Sequence, residues 1–195
     1  MCSVWEAGPG ASYRIPGALI GVRGQSGVLS AWTGADRSDR GRAARMTGIE
    51  LRSAAFNDHA AIPRRHSGEG GDVSPPLTWS AVPAGASELV LLCEDPDAPG
   101  GSFLHWLVTG IDPGSSGVAE GESPHGGQEW PNGFGRVGWG GPMPPPGHGV
   151  HRYFFRLWAV SESLSLHGKP TVDAVHRAVR GQELASGTLV GTYQR

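Results

Sequence analysis

The chain has 195 residues, a formal charge of −2 at pH 7, 32 Gly and 16 Pro. A charge this close to zero argues against a protein that binds nucleic acid or an anionic membrane over a broad surface. Seven Trp residues and a hydrophobic fraction of 38% argue against a chain that is disordered throughout, so we expect a β-rich domain with many turns.

Residues 1–45 differ in composition from the rest of the chain. They hold eight Gly, and six Arg against three acidic residues, without a sustained apolar period of two or 3.6. We interpret this segment as disordered, or as a mis-annotated extension that precedes a true translation start at Met46. The remaining domain, residues 46–195, is then mildly acidic, with a formal charge of −5.

Short strands are predicted from Met46 onward. Alternating or continuous apolar runs indicate five of them, at residues 49–53, 75–79, 88–94, 103–111 and 151–160. The run 88–94 is apolar without alternation, which is typical of a strand buried on both faces. A helix is predicted from a cap at Thr171 or Asp173 to about Leu184, and a last strand follows at 187–193.

The first candidate functional stretch directly follows the strand predicted at 88–94. In Asp95-Pro96-Asp97-Ala98-Pro99, each Pro restricts φ, so two carboxylates are held on a stiff loop. A simpler interpretation is a turn in which the Asp side chains accept hydrogen bonds from nearby backbone N–H groups. The two interpretations are compatible, because one Asp can stabilise the turn while the other has a functional part.

Two further stretches carry histidines. His105 lies inside a predicted apolar strand, and taken alone it fits a core histidine with satisfied hydrogen bonds. Residues 141–149, which precede His151 and Tyr153, are rich in Gly and Pro. Because proline cannot enter a central strand, we interpret this segment as a rigid loop that leads into the strand of His151 and Tyr153. By period two, His151 and Tyr153 share one face of the strand while Arg152 points to the other. A purely structural loop would account for the prolines but not for the co-location of His and Tyr.

Five motifs, in order along the chain, resemble the phosphatidylethanolamine-binding protein family. They are DVSPPLTW at 72–79, DPDAP at 95–99, HWLV at 105–108, the Gly- and Pro-rich loop with HRY at 141–153, and VGTY at 190–193. The resemblance covers roughly residues 48–194, and the spacing is similar to that of the bacterial YbhB/YbcL branch, the Raf-kinase-inhibitor-like proteins. Residues 1–45 have no counterpart in the family.

The resemblance implies a mainly β fold of two packed antiparallel sheets with one or two peripheral helices. It also implies a pocket that binds a phosphate-like or carboxylate-like anion, with no cofactor. Carried over by position, the pocket residues are Asp95, Asp97, His105, Pro145, His151 and Tyr153. Trp106 follows His105 directly, so strand alternation is expected to turn it away from His105 and into core packing.

The chemistry of these side chains suits an anion pocket. Two imidazoles, the Tyr153 hydroxyl and loop N–H groups can donate hydrogen bonds to an anion. A carboxylate that faced a phosphate would repel it, so Asp95 and Asp97 are expected to position a histidine or the loop backbone. Ligand affinity is then expected to fall as the pH rises through the pKa of the histidines.

Catalysis is an alternative function. His105, His151 and Asp95 would form a metal site of two histidines and one carboxylate, or an acid–base pair with Ser102 as nucleophile. No tight ligand spacing such as H-x-x-x-H supports the metal, and Gly100-Gly101-Ser102-Phe103 is not a nucleophile elbow. We therefore expect a protein that is neither an enzyme nor a metal-binding protein.

A protein partner is a second alternative, because the family takes its kinase-inhibitor name from such an activity. The chain would then modulate a kinase or protease through its surface, and the pocket would be secondary. The resemblance also implies a homodimer. The sequence contains neither about 18 consecutive apolar residues nor a secretory leader, so we expect a cytoplasmic protein without a membrane span.

Overall fold

The computed structural model describes residues 48–195, so the predictions about residues 1–45 and about a start at Met46 lie outside the described residues. Nine strands are found in residues 48–195: β1 (Glu50–Ser53), β2 (Ala60–Ala61), β3 (Leu77–Ser80), β4 (Glu88–Asp95), β5 (Phe103–Ile111), β6 (Gly117–Val118), β7 (Gln128–Glu129), β8 (His151–Val160) and β9 (Glu183–Tyr193). A single α-helix, α1, spans Val172–Val179 of this part of the chain, and one turn of 3-10 helix spans Arg64–His66.

The strands form two sheets, as predicted. The smaller sheet has three strands in the order β1-β3-β6, and the larger has six in the order β2-β9-β8-β4-β5-β7. Neighbouring strands run antiparallel except in the short β2–β9 pair, which is parallel. The predicted mainly β architecture with a peripheral helix is therefore confirmed.

The core has two parts, one on each face of the larger sheet. Leu91 and Phe155 pack against Leu51 and Trp79 of the smaller sheet. On the opposite face, Val90, Leu92 and Trp158 pack against Val172, Val175 and Val179 of α1. All eight residues of β4 are consequently buried, as its continuous apolar run predicted. Each large aliphatic side chain buried there stabilises the fold by roughly 1.5–3 kcal/mol.

The helix is shorter than predicted. Thr171 is its N-cap, and the Thr171 hydroxyl accepts a hydrogen bond from the backbone N–H of Ala174 at 3.2 Å. It ends at Val179 because Arg180 leaves helical geometry, with ψ 123°, and Gly181 adopts a left-handed φ of +87°. The prediction that it continues to about Leu184 is wrong, since Leu184 lies in β9, which begins at Glu183 rather than at residue 187.

Candidate functional site

One cavity lies where the end of β4 meets the beginnings of β5 and β8. Because β4 is antiparallel to both neighbours, its last residues lie beside the first residues of each. The cavity has a volume of about 180 Å³. Five of the six residues predicted from the sequence line it, namely Asp95, His105, Pro145, His151 and Tyr153, whereas Asp97 does not.

A β-bulge places His105 at this cavity. Cys93 of β4 pairs with Trp106 and Glu94 pairs with Leu104, so His105 is an additional residue between two paired positions. His105 and Trp106 therefore project to the same side of the sheet. The prediction that alternation turns Trp106 away from His105 is wrong, because the bulge interrupts the period of two. The prediction that Trp106 packs in the core is confirmed, since it is fully buried between the sheets.

His105 is held by the loop that follows β7. Its Nδ1–H donates to the carbonyl oxygen of Gly140 at 2.6 Å, which leaves Nε2 as the remaining ring nitrogen. Burial lowers the pKa of His105, so the neutral form of the imidazole is favoured in the free protein. A Cβ atom at Gly140 would lie 2.7 Å from Cδ2 of Phe134, so a larger residue there would displace the Phe134 ring.

Asp95, His151 and His148 form a chain of hydrogen bonds from the core to the surface. His151 Nδ1 donates to Asp95 Oδ2 at 2.7 Å, and His151 Nε2 lies 2.9 Å from His148 Nδ1. Asp95 and His151 are buried, whereas His148 is exposed. Sequence analysis missed His148, although its position three residues before His151 in the Gly-rich loop was an available signal. Both ring nitrogens of His151 are therefore already engaged.

Asp97 points away from the cavity. Its carboxylate accepts two hydrogen bonds from the Arg152 guanidinium, at 2.9 and 2.7 Å, and a third from the Arg152 backbone N–H. The side-chain hydrogen bond from Arg152 holds the pKa of Asp97 below its usual value. The Asp97 backbone N–H in turn donates to Asp95 Oδ1 at 2.8 Å, closing the turn after β4. Asp97 thus anchors the beginning of β8 to that turn.

Tyr153 contributes a buried hydroxyl group to the cavity. The side chain is fully buried, and no acceptor among residues 48–195 lies in good hydrogen-bonding geometry with the hydroxyl. Burial, the negative charge of nearby Asp95 and a weaker side-chain interaction with the Asp95 carboxylate raise the pKa of Tyr153 well above its usual value, so the hydroxyl stays protonated. Most buried polar groups find a partner, and an unpaired donor at a cavity is a candidate for ligand binding.

Apolar side chains make up most of the cavity wall. Phe103, Phe134 and Met143 line it together with prolines of the loop. The Phe103 ring lies 4.9 Å from His105 and 4.7 Å from Phe134, and His105 lies 5.1 Å from Tyr153. No local pattern marks Phe134, because it lies in an irregular loop outside any strand or helix.

The geometry does not favour the enzymatic alternative. Within residues 48–195, no three side chains of His, Cys, Asp or Glu are grouped so that they could hold a metal ion. Asp95 is engaged by His151 Nδ1 instead of converging with the two imidazoles on a common point. Ser102 lines a separate groove near the beginning of α1 and does not line the cavity.

Comparison with known proteins identifies similar sequences and folds. The model of the phosphatidylethanolamine-binding protein family matches residues 52–194. The chain is 46% identical over 147 residues to "Putative lipoprotein LppC" of Mycobacterium tuberculosis, covering 73% of each chain. It is 41% identical over 152 residues to a UPF0098 protein of Methanothermobacter thermautotrophicus, covering 75% of this chain and 99% of the relative.

A solved structure shares the fold. The crystal structure of YbcL of Escherichia coli, described as a member of the mammalian PEBP family, superposes with a TM-score of 0.70 at 26% identity. The match covers 76% of this chain and 99% of YbcL. Separately, the part of the chain that the structure describes contains no helix with the length and apolar character needed to span a membrane.

Proposed function

Because the chain belongs to the phosphatidylethanolamine-binding protein family, in its YbhB/YbcL-like branch, we propose that its cavity binds a small anionic group such as a carboxylate or a phosphate. The observation that carries this proposal is the buried Tyr153 hydroxyl, which lines the cavity without a partner among the described residues. An anion that accepts this hydrogen bond would satisfy a donor that otherwise costs about 1–3 kcal/mol to bury.

Each polar residue of the cavity has a distinct part in this proposal. The Tyr153 hydroxyl donates directly. His105 donates through Nε2 once it takes up a proton, because its Nδ1–H is committed to Gly140. Asp95 does not contact the anion but orients His151 through Nδ1. His151 reaches the anion only when His148 releases Nε2.

The test is a titration followed by NMR chemical shifts, with acetate and inorganic phosphate as probes. Tyr153→Phe removes one donor, and we expect it to weaken binding about fivefold to tenfold, the equivalent of roughly 1–1.4 kcal/mol. Tyr193→Phe is the matched control, because the Tyr193 hydroxyl donates to Glu69 and does not line the cavity. Equal affinities for the wild type and both variants would refute the proposed site.

Modulation of a protein partner, such as a kinase or protease, is a second part of the proposal. Its support is the set of large apolar side chains that remain exposed in residues 48–195: Phe134, Val137, Met143 and Val150. All four lie in the loops between β7 and β8, and two of them line the cavity. Exposed apolar surface beside a pocket is typical of an interaction site.

The pocket and the surface can be separated by mutation. If the ligand pocket controls the partner, His151→Ala will weaken both anion binding and inhibition of the partner. If the surface acts alone, the same variant will bind the anion less tightly and keep the inhibition. We also propose that the protein is a cytoplasmic homodimer, which cell fractionation and light scattering of the purified chain would test.

A further inference from the structure

The cavity contains little positive charge to match an anion. None of the residues that line it is Arg or Lys. Three guanidinium groups near the site are engaged with carboxylates outside it. Arg152 pairs with Asp97, and Arg136 pairs with Asp72 at 2.7 Å beside a neighbouring cavity. Arg195, which also lies 3.5 Å from the carbonyl oxygen of Pro144, pairs with Glu69 at 3.4 Å. The charge available to a ligand must therefore come from the histidines.

Apart from His105, the histidines of the site are His148 and His151, and together they carry at most one positive charge. His148 Nδ1 and His151 Nε2 lie 2.9 Å apart, so only one proton can lie between them, and the pair cannot be doubly protonated in this geometry. Any such charge is matched by the carboxylate of Asp95, which is bonded to His151. Burial lowers the pKa of His105, and Tyr153 stays neutral because its pKa is raised. The site therefore carries no net positive charge before a ligand enters.

The polar groups also lie beneath an apolar wall. Asp95, His105, His151 and Tyr153 are 3% exposed or less. Phe134 and Met143, which line the same cavity, are 44% and 42% exposed. A ligand that reaches the polar groups must therefore pass and contact aromatic and aliphatic side chains.

We propose that the cavity selects a group with a single negative charge attached to an apolar or aromatic moiety, such as an aryl carboxylate or a phosphodiester, and disfavours a doubly charged phosphate monoester. This inference rests on the proposed function, because it narrows the chemical class of the anion. A first charge is met by the Tyr153 hydroxyl and by proton uptake at His105. A second charge would be removed from water without a partner, which is costly in an apolar site.

Two pairs of probes test the charge and the apolar moiety separately. Phenyl phosphate is a dianion at pH 8, since the second pKa of such esters is about 6, whereas methyl phenyl phosphate keeps one charge. We expect the diester to bind about tenfold more tightly than the monoester at pH 8. Benzoate is expected to bind about fivefold more tightly than acetate, because only benzoate buries a ring against the cavity wall.

A titration at pH 5 sharpens the charge test. Phenyl phosphate is then mostly a monoanion, so its affinity relative to the diester should rise and the tenfold difference should largely disappear. The diester has the same charge at both values of pH and corrects for protonation of Asp95, His105, His148 and His151. A ratio that does not change with pH would contradict selection by charge.

Variants of two exposed side chains test the apolar moiety. Phe134→Ala is expected to remove most of the advantage of benzoate over acetate. Val137→Ala is the matched control, because Val137 is exposed but does not line the cavity. Tighter binding of the phenyl phosphate dianion than of the diester would overturn the inference while the proposed anion site stands. Failure of all four probes to bind would overturn both.

Discussion

Two acidic residues that are neighbours in the sequence occupy opposite faces of the larger sheet and differ in their surroundings. Glu94 faces α1, where it accepts hydrogen bonds from Arg156 at 2.6 Å and from His176 at 3.2 Å. Asp95 faces the cavity, where it accepts from His151 at 2.7 Å and from the Asp97 N–H. Both carboxylates are buried, at 5% and 3% exposure, and both pair with a histidine.

The difference lies in what surrounds each pair. The Glu94 network ends in the Arg156 guanidinium, which balances its charge, and the His176 ring packs edge-on against Trp158 at 5.4 Å. The Asp95 network has no guanidinium and adjoins the Tyr153 hydroxyl, which no described residue satisfies. A buried ion pair whose groups are all satisfied is sufficiently explained by structure. A similar pair beside a cavity and an unpaired donor points to binding.

Removing each carboxylate should produce the largest effect and test this comparison directly. Asp95→Ala leaves the Nδ1–H of His151 buried without a partner, so we expect a loss of about 2–4 kcal/mol in the free energy of unfolding. Glu94→Ala should cost only about 1–2 kcal/mol, because Arg156 and His176 are each about one third exposed and can bind water. Urea denaturation measures both losses. Benzoate affinity should rise for Asp95→Ala alone, because this change removes a negative charge from the cavity wall. An equal change of affinity in both variants would erase the distinction between the two faces.

A smaller effect of the opposite sign is expected for Tyr153→Phe. Because the hydroxyl is buried without a partner among residues 48–195, its removal should leave the free energy of unfolding unchanged or raise it by up to about 1 kcal/mol. The same change should weaken anion binding, so stability and function would move in opposite directions. Thermal denaturation of the ligand-free protein measures the first effect. A clear destabilisation would mean that the hydroxyl has a structural partner.

The dependence of stability on pH should come partly from His105. Its pKa in the folded protein is lowered from 6.5 by burial, so the unfolded chain binds a proton more readily. The contribution of His105 to the free energy of unfolding is therefore fully present above pH 6.5. It is lost as the pH falls from 6.5 through the lowered pKa of the folded protein. Anion affinity should change in the opposite direction and rise on acidification, because a bound anion favours protonated His105.

Urea denaturation of His105→Phe between pH 8 and pH 5 isolates this contribution. The variant should show a shallower fall in stability on acidification than the wild type. His167→Gln is the matched control, because His167 is exposed and lies away from the cavity. An unchanged slope in His105→Phe would assign the pH dependence to other groups.

The smallest effect is expected at Asp97. Its ion pair with Arg152 is partly exposed and lies outside the cavity, so Asp97→Ala should cost about 0.5–1 kcal/mol in the free energy of unfolding. Anion affinity should change less than about twofold, the equivalent of roughly 0.4 kcal/mol. A larger loss, measured with the same NMR titration, would show that Asp97 does take part in binding, as its motif suggested.

The strands of this protein could be predicted from the sequence because their signals are local. The apolar run at β4 and the aromatic run at β8 indicate buried strands wherever they occur, and Thr171 marks a helix start. The short strands β2, β6 and β7 have two residues each, too few for any period to be recognised. Early termination of α1 at Arg180 was missed because the apolar positions continue beyond it into β9.

Part of the candidate site could be identified from the sequence, and the rest became known only from the tertiary structure. The sequence by itself indicated that Asp95, His105, His151 and Tyr153 lie near the ends of strands. The structure shows that antiparallel pairing brings those ends together. Other features of the site depended on contacts that the sequence pattern does not show. These are the bulge at His105, the ion pair of Asp97 with Arg152, the hydrogen bond of His148 with His151, and the apolar wall. Periodicity and motifs describe near neighbours, whereas strand register, loop approach and hydrogen-bond partners are determined by packing between segments far apart in sequence.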